Sequence, residues 1–186
     1  MNSTQFSAEA ISADTLQLRP LTTSCVDDFS EAVAASATEI TRWLGPTAAP
    51  QTPEAVAAYV ASWEAAKAAG TGYGFVADAA GRCVGFGLLN HVHPVHRFAN
   101  VGYWIRTDAT GHGFAPALVR CLAEFAFGTL GLQRLELVIE PDNAPSRRVA
   151  EKVGAHLEGL LHHRLCVAGA PRDGLMYGLF PEDVPA

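Results

Sequence analysis

Residues 103–115 read YWIRTDATGHGFA, and the pattern of apolar residues changes within them. Before Thr107 the chain has the alternation of a β-strand, and from Phe114 onward apolar residues recur at helical spacing. Gly111 and Gly113 lie in the turn between the two elements. A helix that begins directly after such a turn presents several backbone N–H groups and the positive end of its dipole to one point. The segment therefore predicts a pyrophosphate site, where glycine lets the phosphates approach the backbone.

Two well-known phosphate-binding motifs do not match this turn. A P-loop requires Gly-Lys followed by Ser or Thr, and the chain contains no such sequence. A dinucleotide-binding fingerprint would place Gly or Ala three residues after Gly113, where Pro116 stands. A structural turn without a ligand remains the alternative interpretation of the glycines taken alone.

A second junction of the same kind follows the next predicted strand. Asn143 is a natural N-cap for a short helix, Pro145 is tolerated in its first turn, and Ser146 begins its inner face. Two successive strand–helix junctions lie at the same edge of a parallel strand pair, and α/β sheets bind ligands at that edge. Considered alone, Asn143 is explained as the N-cap of a helix that has no role in ligand binding.

The rest of the chain shows strand and helix patterns without a repeat or a linker. We expect strands over residues 15–21, 73–77, 83–90, 99–106, 134–140, 155–167 and 175–180, with turns at 78–81 and 168–174. Helices are expected over residues 24–35, 38–44, 53–69, 114–125 and 144–153, with Ser24 and Thr52 as N-caps of the first and third. This order predicts one mixed α/β (α+β) domain over residues 14–182, preceded by a disordered leader over residues 1–13.

Composition and charge exclude several classes of protein. The chain has 186 residues, is 49% apolar and carries a net charge of −6 with scattered basic residues, which argues against nucleic-acid binding. It has neither a signal peptide nor an apolar run long enough for a membrane span, so a cytoplasmic location is expected. No two cysteines form a Cys-x-x-Cys motif, and we expect buried thiols rather than disulfides at Cys25, Cys83, Cys121 and Cys166.

Several segments, in order along the chain, resemble the GNAT acetyltransferase superfamily, and more closely its RimJ/RimL type of N-terminal protein acetyltransferases. The sequence TGHGFA at 110–115 resembles the Gln/Arg-x-x-Gly-x-Gly/Ala pyrophosphate turn, and Asn143-x-x-Ser146 with EKVG at 151–154 resembles the second coenzyme A motif. The other matching segments are LQLRPL at 16–21, VGYWI at 101–105, LEG at 157–159 and Arg172-Asp173-x-x-x-Tyr177.

The resemblance implies a mixed, mostly antiparallel sheet, flanked by helices and splayed between the central strand and the strand that follows the pyrophosphate helix. It implies acetyl-CoA as co-substrate, no metal, and an amine acceptor that is either a protein or peptide N-terminus or a small molecule. A homodimer is plausible on the same ground. By the resemblance, pantetheine lies along Trp104, Ile105 and Arg106, and the pyrophosphate binds at Gly111, His112, Gly113, Phe114 and Ala115. Asn143 and Ser146 contact the thioester end of the cofactor. The acceptor is expected to contact Trp43, Leu44, His91 and Tyr177.

Three positions depart from the family pattern. Thr110 stands where Gln or Arg is usual, Ala150 where many members have the tyrosine that protonates the leaving thiolate, and Asn100 where a glutamate is often found. Because the phosphate contacts come mainly from backbone N–H groups, Thr110 is expected to weaken the site rather than abolish it. Ser146 is the expected replacement for the missing tyrosine.

Acetyl transfer to an amine requires a neutral nucleophile and stabilisation of an oxyanion, for which a backbone N–H of the central strand is available. The candidates for the base are His91, His93, Tyr103 and Tyr177, and an α-amine with a pKa of about 8 demands less of that base.

The spacing of His91, His93 and His96 also suggests a metal site as an alternative, but no Cys, Asp or Glu nearby completes the ligand set. The alternative function is a non-catalytic acyl-CoA-binding sensor or partner protein, which turnover with any amine would distinguish.

Overall fold

In the computed structural model, which describes residues 11–13 and 16–184, eight strands form one sheet in the order β1-β2-β3-β4-β5-β6-β8-β7. The β5–β6 pair is parallel, and the other six described pairs are antiparallel. The predicted mixed, mostly antiparallel α/β architecture is therefore confirmed. The strands are β1 Ile11–Ala13, β2 Leu16–Pro20, β3 Tyr73–Ala79, β4 Arg82–His93, β5 Phe98–Ile105, β6 Arg134–Ile139, β7 His156–Val167 and β8 Ala170–Leu179.

Helices cover both faces of the sheet and enclose two apolar cores. One core lies on the face with α3 and includes Val101 of β5, and the other lies on the face with α1 and α2 and includes Trp104. Alternate residues of β5 thus point to opposite faces, as in any strand buried on both sides. The helices are α1 Val26–Leu44, α2 Pro53–Ala68, α3 Phe114–Glu124 and α4 Ala144–Lys152.

The N-terminal helix differs from the prediction. Residues 24–35 and 38–44 were expected to form two helices, but α1 runs unbroken for 19 residues and Cys25, not Ser24, is its N-cap. Its buried residues continue at helical spacing from Phe29 to Ile40, so one apolar stripe holds the whole helix against the sheet. Thr52 caps α2 as predicted, since its side-chain oxygen accepts a hydrogen bond of 3.2 Å from the N–H of Ala55.

Two strand boundaries and the leader also need correction. The β7–β8 turn is only Ala168–Gly169, both with positive φ, so β8 begins at Ala170 rather than at residue 175. The same two-residue geometry at Ala80–Gly81 lets β3 extend to Ala79. The last three residues of the expected leader form β1, which pairs with the open edge of β2, while residues 1–10 lie outside the described part.

Cys25, Cys83 and Cys121 are buried as expected, but Cys166 is exposed because it lies on the outer strand β7. Among the helices of the described part, none is both long and apolar enough to cross a membrane.

Candidate functional site

The strands β5 and β6 separate after three paired residues. Their pairing runs from Phe98↔Arg134 to Asn100↔Glu136, and no later residue of β5 pairs with β6. Gly102–Ile105 of β5 and Leu137–Ile139 of β6 then line the two sides of a cavity of about 740 Å³, which we name the main cavity. The edge of β5 that faces this gap has backbone groups available for an extended ligand.

The turn that precedes α3 lines one end of the main cavity. Gly111 and Gly113 have φ values of 81° and 82°, which glycine adopts without strain. The first hydrogen bond of α3 runs from the N–H of Ala117 to the carbonyl of Gly113. None of the backbone N–H groups of residues 111–115 finds an acceptor within residues 16–184. A Cβ added at either glycine would meet no atom within 4 Å. The turn therefore has both the donors and the space that a pyrophosphate needs.

Helix α1 holds this turn in place. Arg106 is only 5% exposed, and its guanidinium pairs with both carboxylate oxygens of Glu31 and, at 2.8 Å, with Asp108. These hydrogen bonds raise the pKa of Arg106 and lower the pKa of Glu31. The backbone N–H of Thr107 donates to the buried hydroxyl of Ser36 at 3.0 Å. Two residues of α1, Glu31 and Ser36, thus fix the segment that leads into the turn.

The start of α4 supplies a second set of groups. Asn143 is its N-cap, because the side-chain oxygen accepts a hydrogen bond of 3.2 Å from the N–H of Ser146. Ser146 lines the main cavity and is partly exposed. Arg148 and Lys152, four residues apart and therefore neighbours on one helix face, line the same cavity. They were not among the predicted site residues, although their spacing before Gly154 was readable from the sequence.

Tyr103 of β5 faces Ser146 across the main cavity. Burial raises the pKa of Tyr103 to about 12, and the nearby Ser146 side chain pulls it in the opposite direction. The phenol oxygen is buried and makes no hydrogen bond of regular geometry with any described residue. Tyr103 therefore keeps its proton at neutral pH, which suits a hydrogen-bond or proton donor and disfavours the role of base that was considered for it.

The far end of the main cavity lies on the α1 side of the sheet. His91 follows a cross-strand pair in which Asn100 donates from Nδ2 to the Oδ1 of Asn90 at 2.8 Å. His91 has a φ of 52°, rare for a residue with a side chain, where the β4–β5 register shifts. The residues of this end are Glu39, Ile40, Trp43, Leu44, Asn90, His91, Asn100, Arg164 and Leu165.

A sequence model of the Acetyltransferase (GNAT) domain matches residues 15–156. The chain belongs to this GNAT family. Among curated relatives, the putative ribosomal N-acetyltransferase YdaF of Bacillus subtilis is 33% identical over 103 residues, 55% of this chain and 56% of that protein. The spermidine N(1)-acetyltransferase of Escherichia coli is 26% identical over 106 residues, 57% of each. This GNAT chain thus spans about half the length of the curated relatives it matches.

Similarity to solved structures covers more of the chain. Mycobacterium smegmatis RimJ, solved in complex with a CoA disulfide, superposes with a TM-score of 0.84 at 28% identity, over 92% of this chain and 84% of that one. The fold of this GNAT chain thus agrees with that of RimJ over nearly all of its length.

Most of the predicted site residues of this GNAT chain line the one main cavity. They are Trp43, Leu44, His91, Tyr103, Trp104, Ile105, Gly111, Gly113, Phe114, Ala115, Asn143 and Ser146. Three others do not. The backbone N–H of Arg106 donates to the carbonyl of Val84, and its side chain pairs with Glu31 and Asp108, so neither group is available to the cofactor.

His112 and Tyr177 are the other two exceptions. The side chain of His112 is exposed, outside the cavity lining, although its backbone N–H belongs to the turn. Tyr177 is 2% exposed within the apolar core, because it lies on the inward face of β8, and it cannot contact an acceptor. Of the candidate bases, His93 lines a different cavity, and Tyr103 lines the main one but keeps its proton, so His91 is the candidate that remains. No group of three or more His, Cys, Asp and Glu within residues 16–184 is arranged to hold a metal ion.

Proposed function

We propose that this protein is an N-acetyltransferase that moves the acetyl group of acetyl-CoA to a primary amine, with a peptide or protein N-terminal α-amine as the preferred acceptor. The observation that carries the proposal is the turn at residues 111–115, with its uncommitted N–H groups, at the end of the gap between β5 and β6. The likeness to RimJ in complex with a CoA disulfide supports the same assignment.

Each part of acetyl-CoA has a matching part of the main cavity. The five N–H groups of residues 111–115 suit the pyrophosphate, and the free edge of β5 suits the amides of pantetheine. The cationic side chains of Arg148 and Lys152 suit further phosphate oxygens. Thr110 donates its hydroxyl to the carbonyl of Thr107, so it stabilises the turn and leaves phosphate binding to the backbone.

The reaction needs a proton acceptor for the amine and a proton donor for the leaving thiolate. His91 is the candidate base, because a ring nitrogen of imidazole can accept a proton and this histidine lines the acceptor end of the cavity. Tyr103 and Ser146 are the candidate donors, because both hydroxyls lie on the cavity wall and burial keeps Tyr103 protonated. Together they take over the role of the tyrosine that is missing at Ala150, which is buried.

The charges at the acceptor end favour an α-amine over a polyamine. The spermidine acetyltransferase among the relatives makes a polyamine the competing acceptor. A polycation would require several carboxylates, but the residues that line the acceptor end include one carboxylate, Glu39, and one cationic side chain, Arg164. Glu140, which lines the cavity between β6 and α4, lies 3.9 Å from Arg172. A single amine on a peptide suits this mixed charge better.

A homodimer is part of the proposal. The outer strand β7 pairs only with β8 among the described strands and leaves one backbone edge open. Leu157, Leu160 and Leu161 are 56%, 45% and 39% exposed on it. An open edge with exposed leucines favours pairing with a second copy of the same strand about a twofold axis. Sedimentation of the wild type and of Leu160→Arg tests this, with a dimer expected only for the wild type.

Thiol release from acetyl-CoA tests the activity and the acceptor class together. Three acceptors are compared: a pentapeptide with a free N-terminus, the same peptide blocked at its N-terminus but carrying a lysine, and spermidine. We expect kcat/KM for the free N-terminus to exceed the other two at least about tenfold, and the Gly111→Asp variant to lose about 30-fold in kcat/KM for acetyl-CoA. Preferred turnover of spermidine would overturn the acceptor assignment. Saturable acetyl-CoA binding without turnover of any amine would favour the non-catalytic sensor instead.

A further inference from the structure

A second cavity of about 710 Å³, which we name the side cavity, adjoins the acceptor end of the main cavity. Asn90 and His91 line both cavities, so the two meet at this point of β4. The remaining residues of the side cavity come from α2, the loop after it and the ends of β4 and β5. They are Ser62, Trp63, Ala66, Thr71, Gly72, Val92, His93 and Phe98.

The side cavity and the acceptor end of the main cavity lie on the same face of the sheet. Alternation along β5 places Phe98, Asn100 and Trp104 on one face, and Trp104 packs in the core under α1 and α2. Phe98 lines the side cavity and Asn100 the main cavity, two residues apart on one strand. A ligand that leaves the main cavity past Asn100 therefore reaches Phe98 without crossing the sheet.

The side cavity has an aromatic floor. The ring of His93 stacks on Phe98, with centroids 5.2 Å apart and an interplanar angle of 18°. Trp63 forms the wall from α2. Such a surface favours an apolar or aromatic side chain over a charged one.

Hydrogen-bond donors border this floor. The Nδ1 of His93 accepts from the backbone N–H of His96 at 3.0 Å, so the ring proton of neutral His93 lies on Nε2. The side-chain oxygen of Asn90 accepts a hydrogen bond from Asn100, so the side-chain NH2 of Asn90 is available as a donor. The Nε2–H of His93 and the amide of Asn90 have no acceptor among the described residues. Donors beside an aromatic floor match the carbonyl oxygens and side chains of a peptide.

We propose that the side cavity binds the acceptor peptide beyond its acetylated residue, with an apolar side chain of its fourth or fifth residue on Phe98, His93 and Trp63. Phe98 lies five residues from Tyr103 along β5, or about 16 Å, and an extended peptide spans that distance in about five residues. This inference rests on the proposed function and adds to it that the acceptor is a polypeptide recognised through several residues.

The test compares a dipeptide amide with pentapeptides that share its N-terminal residue and carry Phe or Asp at positions 2 to 5. We expect peptides with Phe at position 4 or 5 to have a kcat/KM about tenfold higher than peptides with Asp there, mainly through a lower KM. The reason is that burial of the aromatic side chain in the side cavity removes apolar surface from water. Ser62→Trp would fill the side cavity from an exposed position of α2 and remove this preference. Ala61→Trp adds the same side chain one residue away, outside the lining, and serves as the control.

The result that supports the inference is loss of the pentapeptide preference in Ser62→Trp and Phe98→Ala, with dipeptide turnover unchanged. Equal kcat/KM for all pentapeptides in the wild type would overturn the inference while leaving the proposed function intact. An equal fall for the dipeptide and the pentapeptides in Ser62→Trp would also overturn it. Absence of turnover with every acceptor would overturn the proposed function, and this inference with it.

Discussion

Substitution of Gly111 by aspartate places a carboxylate in the proposed pyrophosphate site. The Cβ at this position meets no atom within 4 Å, and the N–H groups of residues 111–115 have no acceptor in the described part of the chain, so the new carboxylate competes for the same donors. Two like charges 4 Å apart repel by about 1 kcal/mol in water and about 4 kcal/mol at the effective dielectric of a protein surface. An intermediate penalty of about 2 kcal/mol raises the Kd for acetyl-CoA about 30-fold.

The substitution also strains the backbone, and this effect must be separated from the electrostatic one. Gly111 has a φ of 81°, where a residue with a side chain costs about 1 kcal/mol of stability. Gly169 in the β7–β8 turn has a φ of 79° and equally open space, but lines neither cavity. Gly169→Asp is therefore the matched control, with a similar fall in the free energy of unfolding and an unchanged Kd.

Calorimetric titration with acetyl-CoA and chemical denaturation of both variants make the comparison. A Kd for Gly111→Asp that stays within about threefold of wild type, at the same loss of stability as the control, would refute the assignment of the turn to the pyrophosphate.

Three further predictions follow from the site and its surroundings. Tyr103→Phe is expected to lower kcat about 10- to 100-fold without changing the Kd for acetyl-CoA, and not to lower the free energy of unfolding, because the removed hydroxyl lacks a regular hydrogen bond. Ser36→Ala is expected to weaken acetyl-CoA binding several-fold, because the N–H of Thr107 loses its acceptor, and Ser36→Thr should restore it. The hydrogen bond to Asp183 raises the pKa of His156 above 6.5, so its stabilisation is present below about pH 6.5 and is lost as the pH rises through the raised value.

Each of these has an outcome that would contradict it. Unchanged kcat in Tyr103→Phe would remove this residue from proton donation and leave Ser146 alone. A Kd in Ser36→Ala equal to that of wild type would mean that the turn keeps its shape without α1. For His156, the difference in Tm between wild type and His156→Gln should shrink between about pH 5.5 and pH 8.5, and a constant or growing difference would show that the Asp183 contact does not carry the effect.

The strand–turn–helix segment at residues 103–115 was the most predictable part of the fold. Its signal is local, because glycines, strand alternation and helical spacing are all encoded within a few residues of one another. The cap at Asn143 was predictable for the same reason, since an asparagine N-cap bonds to an N–H three residues away.

Helix α1 was less predictable because its length depends on the sheet. The sequence around residues 36–38 contains Ser and Thr, which favour turns and caps when the chain is considered alone. In the fold, Ser36 is buried and bonds to Thr107, which is 71 residues away. A contact over that distance leaves no trace in local periodicity.

The parts of the site that bind through backbone groups were predictable from the sequence, and the parts that depend on the direction of side chains were less predictable. Arg106 looked like a cofactor residue from its place at the end of β5, but two carboxylates hold it inside the protein. Tyr177 looked like an acceptor residue, but strand alternation turns it into the core. The side cavity was not visible in the sequence at all, since it is formed by α2, β4 and β5 meeting around His91.

The most direct test of the central claim is a single turnover. The protein is loaded with one equivalent of acetyl-CoA, mixed with a pentapeptide that carries both a free N-terminus and a lysine, and the peptide is sequenced by mass spectrometry. We expect one acetyl group on the N-terminal α-amine, with release of one equivalent of free thiol, and less thiol from the Gly111→Asp variant under the same conditions because less acetyl-CoA is bound. Acetyl-CoA that stays bound and intact while the peptide remains unmodified would contradict it.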